Sequence, residues 1–231
     1  EIIDSSSTVL TSSSASFMVF QNTIMPQVSN LLAFGDSLSD MGNAKDSILN
    51  VPDVPPYWQG RFSNGPVWLE YVSEAYGLTT TVGSLSEQGD NRAFGGAQTG
   101  QGFSYLLLPN VGTQIANYLA NVQTTIPSND IIALWAGGND FLYGTANSDT
   151  IVANMESHLR QLHEAGARQF IIPNLPPLEK TPEILSRSQS QQSNIASEVI
   201  SYNTKLSNLI SDLITELGIN VYFIDAWSLF N

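Results

Sequence analysis

Asn30-Leu31-Leu32-Ala33-Phe34-Gly35-Asp36-Ser37-Leu38-Ser39-Asp40 is the stretch on which the fold turns. Its first half is an unbroken apolar run that stops at a glycine. Alternating polarity would mark a strand with one wet face. An unbroken run marks a strand buried on both faces, as in a parallel sheet covered by helices. Its second half is small and polar, built of residues that cap helices and close turns. The pattern is a buried strand running through a tight turn toward a helix.

Working outward, similar apolar runs recur at residues 131–135, 170–172 and 221–224, with 78–82 a weaker candidate. Helical stretches separate them. Residues 66–76 open with Pro66 in the first turn after Ser63, Asn64 and Gly65, and Gly77 supplies a stop. Residues 113–122 form a second stretch. Residues 149–164 have Asp149 as a candidate N-cap and close on Ala165-Gly166. The longest stretch, 191–217, places Ile195, Val199, Ile200, Leu206, Ile210, Leu213 and Ile214 at helical spacing and ends at Gly218. Strands alternating with helices of this size predict a parallel sheet with helices on both faces, and in such sheets sites form at the carboxyl ends of the strands. Residues 1–28, with Ser5-Ser6-Ser7 and Ser12-Ser13-Ser14, show no sustained period and read as an N-terminal extension whose 17–20 stretch is apolar enough to pack on the domain.

Composition narrows the function. Across 231 residues, enough for one domain with a full core, eight basic residues oppose 21 acidic ones, a formal charge of −13. That surface repels phosphate backbones, so nucleic acid is excluded as a partner. It also gives no help on anionic lipid, so a membrane substrate has to be engaged through apolar contacts. The chain has no cysteine, which removes thiolate nucleophiles, disulfides and cysteine-ligated metal. No apolar run approaches the ~18–20 residues of a membrane span. The first residue is Glu and not Met, which implies a chain either processed or cut from a longer one, removal of a leader peptide being one explanation.

Three motifs fall at predicted strand ends or in loops near them. In Gly35-Asp36-Ser37-Leu38-Ser39-Asp40 a serine stands directly after the first strand, where free backbone N–H groups can stabilise an oxyanion. The alternative is a turn in which Asp36, Ser37 and Ser39 only cap a helix. A dinucleotide site would need Gly-x-Gly-x-x-Gly, which is missing. Asn91-Arg92-Ala93-Phe94-Gly95-Gly96-Ala97-Gln98-Thr99-Gly100 is glycine-rich and able to bring N–H groups close to a ligand, or it is merely a tight loop; it lacks the Gly-Lys-Ser/Thr ending of a phosphate cradle. Gly137-Gly138-Asn139-Asp140 follows the run at 131–135, and an Asn amide held there can donate to a developing oxyanion, a contact worth roughly 2.7–4 kcal/mol in comparable sites. A serine, a glycine N–H and an asparagine amide are thus expected at one rim.

These residues resemble the GDSL family of esterases and lipases, in the SGNH hydrolase group, over some 200 of the 231 residues. The first block is similar to Gly35-Asp36-Ser37-Leu38, the second to residues 91–97 and the third to Gly137-Gly138-Asn139-Asp140. Pro55-Pro56-Tyr57-Trp58-Gln59-Gly60-Arg61-Phe62-Ser63-Asn64-Gly65-Pro66-Val67-Trp68 resembles the branch containing plant GDSL lipases and bacterial secreted lipases, lysophospholipases and acyltransferases. The resemblance implies a flavodoxin-like α/β/α sandwich of about five parallel strands. It implies Ser37 as nucleophile with its own N–H in the oxyanion hole, Gly96 (Gly95 as the fallback) as the second donor and Asn139 as the third. No cofactor or metal is implied. The substrate would be a small-molecule or lipid ester, with peripheral membrane contact through that substrate, and the protein would be secreted or exported. Deacetylation of carbohydrate is the other chemistry of the group.

One block departs from the pattern. The family's Asp-x-x-His, which supplies the general base and its orienting carboxylate, is absent: Asp225 follows the last strand, but Ser228 stands three residues on. The two histidines, His158 and His163, fall on the helix ahead of residues 170–172. That helix runs back toward the amino edge, which puts His163 roughly 17 Å from Ser37, a five-residue strand length. His158 is expected on a solvated face. Five residues apart, the pair point about 140° apart around a helix, which disfavours a shared metal. The resemblance therefore implies a hydrolase domain over 29–231 that continues past Asn231 in the same protein. The alternatives are a histidine from another chain, or an inactive relative that binds an acyl chain or sugar ester. Trp58, Trp68 and Phe103 are candidates for an acyl site or for core.

Overall fold

Leu31, Ala33, Ile131 and Ala133 point to one side of a sheet, and Leu32, Phe34, Ile132 and Leu134 to the other; all are buried. Both faces are therefore dry, which is why the runs read as continuous and not alternating. The computed structural model describes residues 17–19, 28–83, 89–121 and 125–231. In chain order its elements are β1 (Phe17–Val19), β2 (Leu31–Gly35), α1 (Asn43–Asp46), α2 (Trp68–Ala75), α3 (Val111–Asn121), β3 (Ile131–Trp135), α4 (Gly138–Leu142), α5 (Ser148–Glu164), β4 (Gln169–Pro173), a 3-10 turn (Leu178–Lys180), α6 (Pro182–Leu185), α7 (Gln189–Leu217), β5 (Asn220–Ile224) and α8 (Ala226–Phe230).

The sheet order is β1-β5-β4-β3-β2, with β2 to β5 parallel. The fifth strand differs from the expected parallel set: β1 pairs antiparallel with β5, Phe17 facing Ile224. So part of the apolar stretch expected to pack on the domain does so as an edge strand. The serine triplets Ser5-Ser6-Ser7 and Ser12-Ser13-Ser14 lie outside the described residues.

Residues 78–82 do not form a strand. Leu78 N–H closes the end of α2 on the Ser73 carbonyl at 2.9 Å, and Val82 makes only an isolated bridge with Asn91. The outer side of β2 is covered by residues 90–94 instead: Ala33 N–H donates to Asp90 O at 2.7 Å, Arg92 N–H to Ala33 O at 2.7 Å and Phe94 N–H to Gly35 O at 3.1 Å. From β2 the chain thus moves outward to the bridge at Asn91, then crosses back to β3 on the opposite side of β2. That reversal of winding opens a crevice at the carboxyl ends of β2 and β3.

The helices divide accordingly. One face of the sheet is covered by α3, α5 and α7, whose buried Ile115, Met155, Leu159, Val199 and Tyr202 join Phe34, Leu134 and Phe170 in the main core. Leu69 of α2, with Trp68 and Val72, closes the other face over Leu31, Ala33 and Ile171. Helix boundaries follow the side chains that satisfy their free N–H groups. α2 starts at Trp68, after Pro66, because Glu70 turns back to accept from Val67 N–H at 2.8 Å. α5 is capped by Asn147, whose Oδ1 accepts from Thr150 N–H at 3.0 Å, while Asp149, the expected cap, pairs with Lys205. α7 starts two residues earlier than expected, where Ser188 and Gln191 cap each other.

Candidate active site

The carboxyl end of β2 is pinned before its turn begins. The Gln114 side chain accepts from Gly35 N–H at 3.0 Å and donates back to Gly35 O at 2.9 Å. Position 35 has to be glycine, since a Cβ there would lie 2.4 Å from the Trp135 carbonyl of β3. The turn then winds on Asp36: its carbonyl accepts from Ser39 and Asp40 N–H, each at 3.0 Å, and its Oδ1 from Leu38 N–H at 3.0 Å. Ser37 stands half-buried at the apex of this turn, above the buried Asp36 carboxyl.

Asp40 carries the turn into α1 and fastens the second motif to it. Its carboxylate accepts from the N–H groups of Gly42, Asn43 and Ala44 and, at 2.8 Å, from Gly95 N–H. Asn91 reaches the same turn from the other side, its Nδ2 donating to Ser39 O at 2.7 Å. Asn43 in turn donates to the carbonyls of Asn91 and Ala93 at 2.9 and 2.8 Å.

The third motif fastens to the residue after Gly96. Asn139, buried in the first turn of α4, donates from Nδ2 to Ala97 O at 2.9 Å. Its neighbour Asp140 accepts from Thr99 N–H at 2.9 Å and from Thr99 Oγ1 at 2.6 Å. A Cβ at Gly138 would lie 3.8 Å from Asp36 Oδ2, so the first and third motifs also face each other directly. Gly96 therefore sits between two anchors, with Gly95 N–H tied to Asp40 and Ala97 O tied to Asn139. Its φ of +79° is one that glycine adopts without strain. Among the described residues, the N–H groups of Ser37 and Gly96 have no hydrogen-bond acceptor within the protein. Gly95 N–H is occupied, and the Phe62 ring lies over that residue.

Three carboxyls are buried around this rim. Burial pushes Asp36 up to about 7, the charges of Asp140 and Asp40 adding to it against the Leu38 hydrogen bond. Burial likewise raises Asp40 to about 6 against the N–H groups it accepts from, and Asp140 to about 6 against the bonds from Thr99.

His158 is a correction. It is not on a solvated face: it falls on the stripe Ile151, Met155, His158, Leu159, Leu162 that α5 buries, and only 3 % of it is exposed. Its Nε2 lies 2.7 Å from Thr99 O, and its buried Nδ1 has no partner among the described residues. A carbonyl only accepts, so the proton sits on Nε2. Burial holds the ring below the ordinary histidine pKa. His158 thus stands behind the Thr99–Asp140 pair, and neither histidine of the chain is hydrogen-bonded to Ser37. Asp225, beyond β5, is taken up by Ser228 Oγ at 2.6 Å and Asn174 Nδ2 at 2.9 Å. Those bonds hold its carboxyl below the usual range despite partial burial.

Of the candidate acyl-site aromatics, Trp68 is part-buried, donating to Ser39 Oγ at 3.1 Å and packing edge-on against Trp135. Trp58 is stacked by Arg61, and Phe103 is exposed. The roles of Asp40, Asn43 and Thr99 in joining the motifs were missed by sequence reasoning. Asp40 read only as part of a turn, and nothing local marks a carboxylate whose partner is 55 residues away.

Comparison with known proteins places the chain in a family. The model for GDSL-like lipase/acylhydrolase matches residues 31–231. The thermolabile hemolysin of Vibrio parahaemolyticus is 32% identical over 77% of this chain and 41% of its own length. The phosphatidylcholine-sterol acyltransferase of Aeromonas hydrophila is 31% identical over 87% of this chain and 59% of its own length. The chain thus spans about half the length of these relatives. A family two carbohydrate esterase from Clostridium thermocellum, solved in complex with cellohexaose, shares the fold with a TM-score of 0.52 and 12% identity over 89% of this chain and 56% of that one. With its motifs joined in one rim and the family model spanning the sheet from β2 to α8, the chain belongs to the GDSL-like lipase/acylhydrolase family.

Proposed function

We propose that the chain carries the nucleophile and oxyanion hole of a serine carboxylic-ester hydrolase. Ser37 Oγ attacks the ester carbonyl. The negative charge that develops on the carbonyl oxygen is met by the N–H groups of Ser37 and Gly96 and by the Asn139 amide. Collapse of the tetrahedral intermediate expels the alcohol and leaves an acyl group on Ser37, which passes to water or to another acceptor. The observation that carries this assignment is the anchoring of Gly96 between Asp40 and Asn139 with its own N–H unspent. It also favours Gly96 over Gly95 as the donor.

The general base comes from outside residues 1–231 under this assignment, since His158 is committed to Thr99 and buried, and His163 stands in the last turn of α5, ahead of the amino end of β4. The substrate is a small-molecule or lipid ester, the folding unit is 29–231 with 1–28 as an extension that lends it the edge strand β1, and export rests on the resemblance to secreted lipases. A second reading, a binding module for acyl chains or sugar esters, is favoured by the missing base alone. A fluorophosphonate probe separates the two. The complete protein as encoded is expected to take up one phosphonate on Ser37 and to lose labelling in Ser37→Ala. Failure to label the complete, folded protein contradicts the hydrolase. Residues 1–231 alone are expected to turn over p-nitrophenyl butyrate orders of magnitude more slowly. Rapid, Ser37-dependent turnover by that piece contradicts an external base.

A further inference from the structure

The rim around Ser37 carries an apolar surface that nothing in its chemistry requires. Ile48 is 101 % exposed, Leu107 76 %, Phe103 60 %, Tyr105 58 %, Leu38 42 % and Tyr57 41 %. They come from the turn itself and from two loops, residues 47–60 and 98–110. The loops form one body: Val51 and Phe62 from one side and Leu106 from the other pack on the same small core of Ala44, Phe94 and Leu108. That body abuts the candidate oxyanion site, for a Cβ at Gly96 would meet Leu106 at 3.0 Å and Tyr105 at 3.4 Å.

The second loop is held in shape. Ser104 N–H donates to Leu108 O and Leu107 N–H to Ser104 O, both at 2.8 Å, and Asn110 N–H donates to Gly102 O at 2.9 Å. Leu107 sits at the tip with φ +56°, a conformation unfavourable for leucine. The fold therefore accepts a strained backbone in order to present an apolar side chain to solvent.

Charge separates this surface from the rest of the molecule. The chain is at −13, yet no charged residue occurs from Ala93 to Asn129. Between residues 47 and 60 the one charge is Asp53, offset by Lys45, which donates to Asn50 O, while Arg61, which donates to Gln59 O, is paired with Glu70. Burial raises the Tyr105 hydroxyl pKa, and the neighbouring Tyr143 and Glu183 add to it. An apolar rim with little net charge on a strongly acidic protein suits a partner that is apolar beneath and carries no net negative charge.

We infer that these two loops dock on a zwitterionic lipid surface, bringing the Ser37 rim against the ester layer. This rests on the hydrolase assignment for its purpose but not for its physics, so the two are tested separately. Binding is measured by flotation of the complete protein carrying Ser37→Ala with phosphatidylcholine vesicles, so that turnover plays no part. The protein is expected to float with the vesicles. Leu107→Asp and Ile48→Asp are each expected to weaken partitioning about tenfold or more, as burying one large aliphatic side chain implies. Aspartate tolerates the backbone at 107, and unchanged thermal midpoints check the fold of both variants. Leu185→Asp and Ile200→Asp, at exposed apolar positions elsewhere, are expected to bind as the parent does. Replacing a third of the lipid with phosphatidylglycerol is expected to weaken binding. Absence of flotation, equal loss in the Leu185 and Ile200 variants, or tighter binding to the anionic vesicles overturns the inference. So does concentration-dependent dimerisation through these loops in place of vesicle binding. Vesicle binding without phosphonate labelling of the parent would leave the docking surface standing and remove the hydrolase.

Discussion

Asn139 is asked to do two things with one amide. One hydrogen of Nδ2 holds Ala97 O, which fixes the loop bearing Gly96; the other, under the proposed function, donates to the developing oxyanion. Asn139→Ala in the complete protein is expected to lower kcat on a p-nitrophenyl ester by about 10²–10³ with a small change in KM, because the lost contact is made mainly in the transition state. A loss confined to KM would assign the residue to ground-state binding. His158 has a different kind of task. Its Nε2–H is spent on Thr99 O in a buried setting, so protonating Nδ1 would place an uncompensated charge in the core. The ring is expected to titrate below the ordinary value of 6.5, as read by nitrogen-15 NMR. A protonated ring at pH 6.5 would contradict this placement.

Among the elements, α7 gives the cleanest local test. It ends on Gly218 in the left-handed conformation, φ +64°, with nothing within 4 Å of an added Cβ. Gly218→Ala is therefore expected to cost about 1 kcal/mol from backbone strain alone, read by urea unfolding, with Gly218→Asn costing less. A neutral Ala variant would mean the helix end relaxes. This stop was legible in the sequence, as were β2 and β3, because burial on both faces writes a strand as an unbroken apolar run between turn residues. Residues 78–82 have the composition of a weak strand, but Leu78 is claimed by the end of α2, a competition that no local pattern displays. The short helices α1, α4 and α8 were illegible for a related reason: at four or five residues they show no period. Asp40 and Asp225 accept from the first N–H groups of α1 and α8, and α4 opens on Gly137 at φ +114° without a side-chain cap. The burial of His158 was readable in principle, since it falls seven residues after Ile151 on the apolar stripe of α5.

For the whole molecule, the buried carboxyls set a pH dependence of definite sign. Asp36 titrates near 7, and Asp40 and Asp140 near 6, in the folded protein, against about 4 when unfolded. Between pH 4 and 7 the native state therefore binds more protons than the unfolded chain. The stability from these groups is present at low pH and lost as pH rises through the folded values. The thermal midpoint is expected to fall between pH 5.5 and 8, self-repulsion at −13 acting in the same direction. Asp36→Asn should raise the midpoint at pH 8 and narrow the difference; a midpoint that rises toward pH 8 would contradict the burial of these groups.

The convergence of Ser37, Gly96 and Asn139 on one oxygen is the claim on which the chemistry stands, and a crystal structure of the complete protein phosphonylated on Ser37 tests it most directly. The phosphoryl oxygen is expected at about 2.7–3.1 Å from both the Gly96 nitrogen and Asn139 Nδ2. A phosphoryl oxygen turned to solvent, with the Asn139 amide well out of hydrogen-bonding reach, would contradict it.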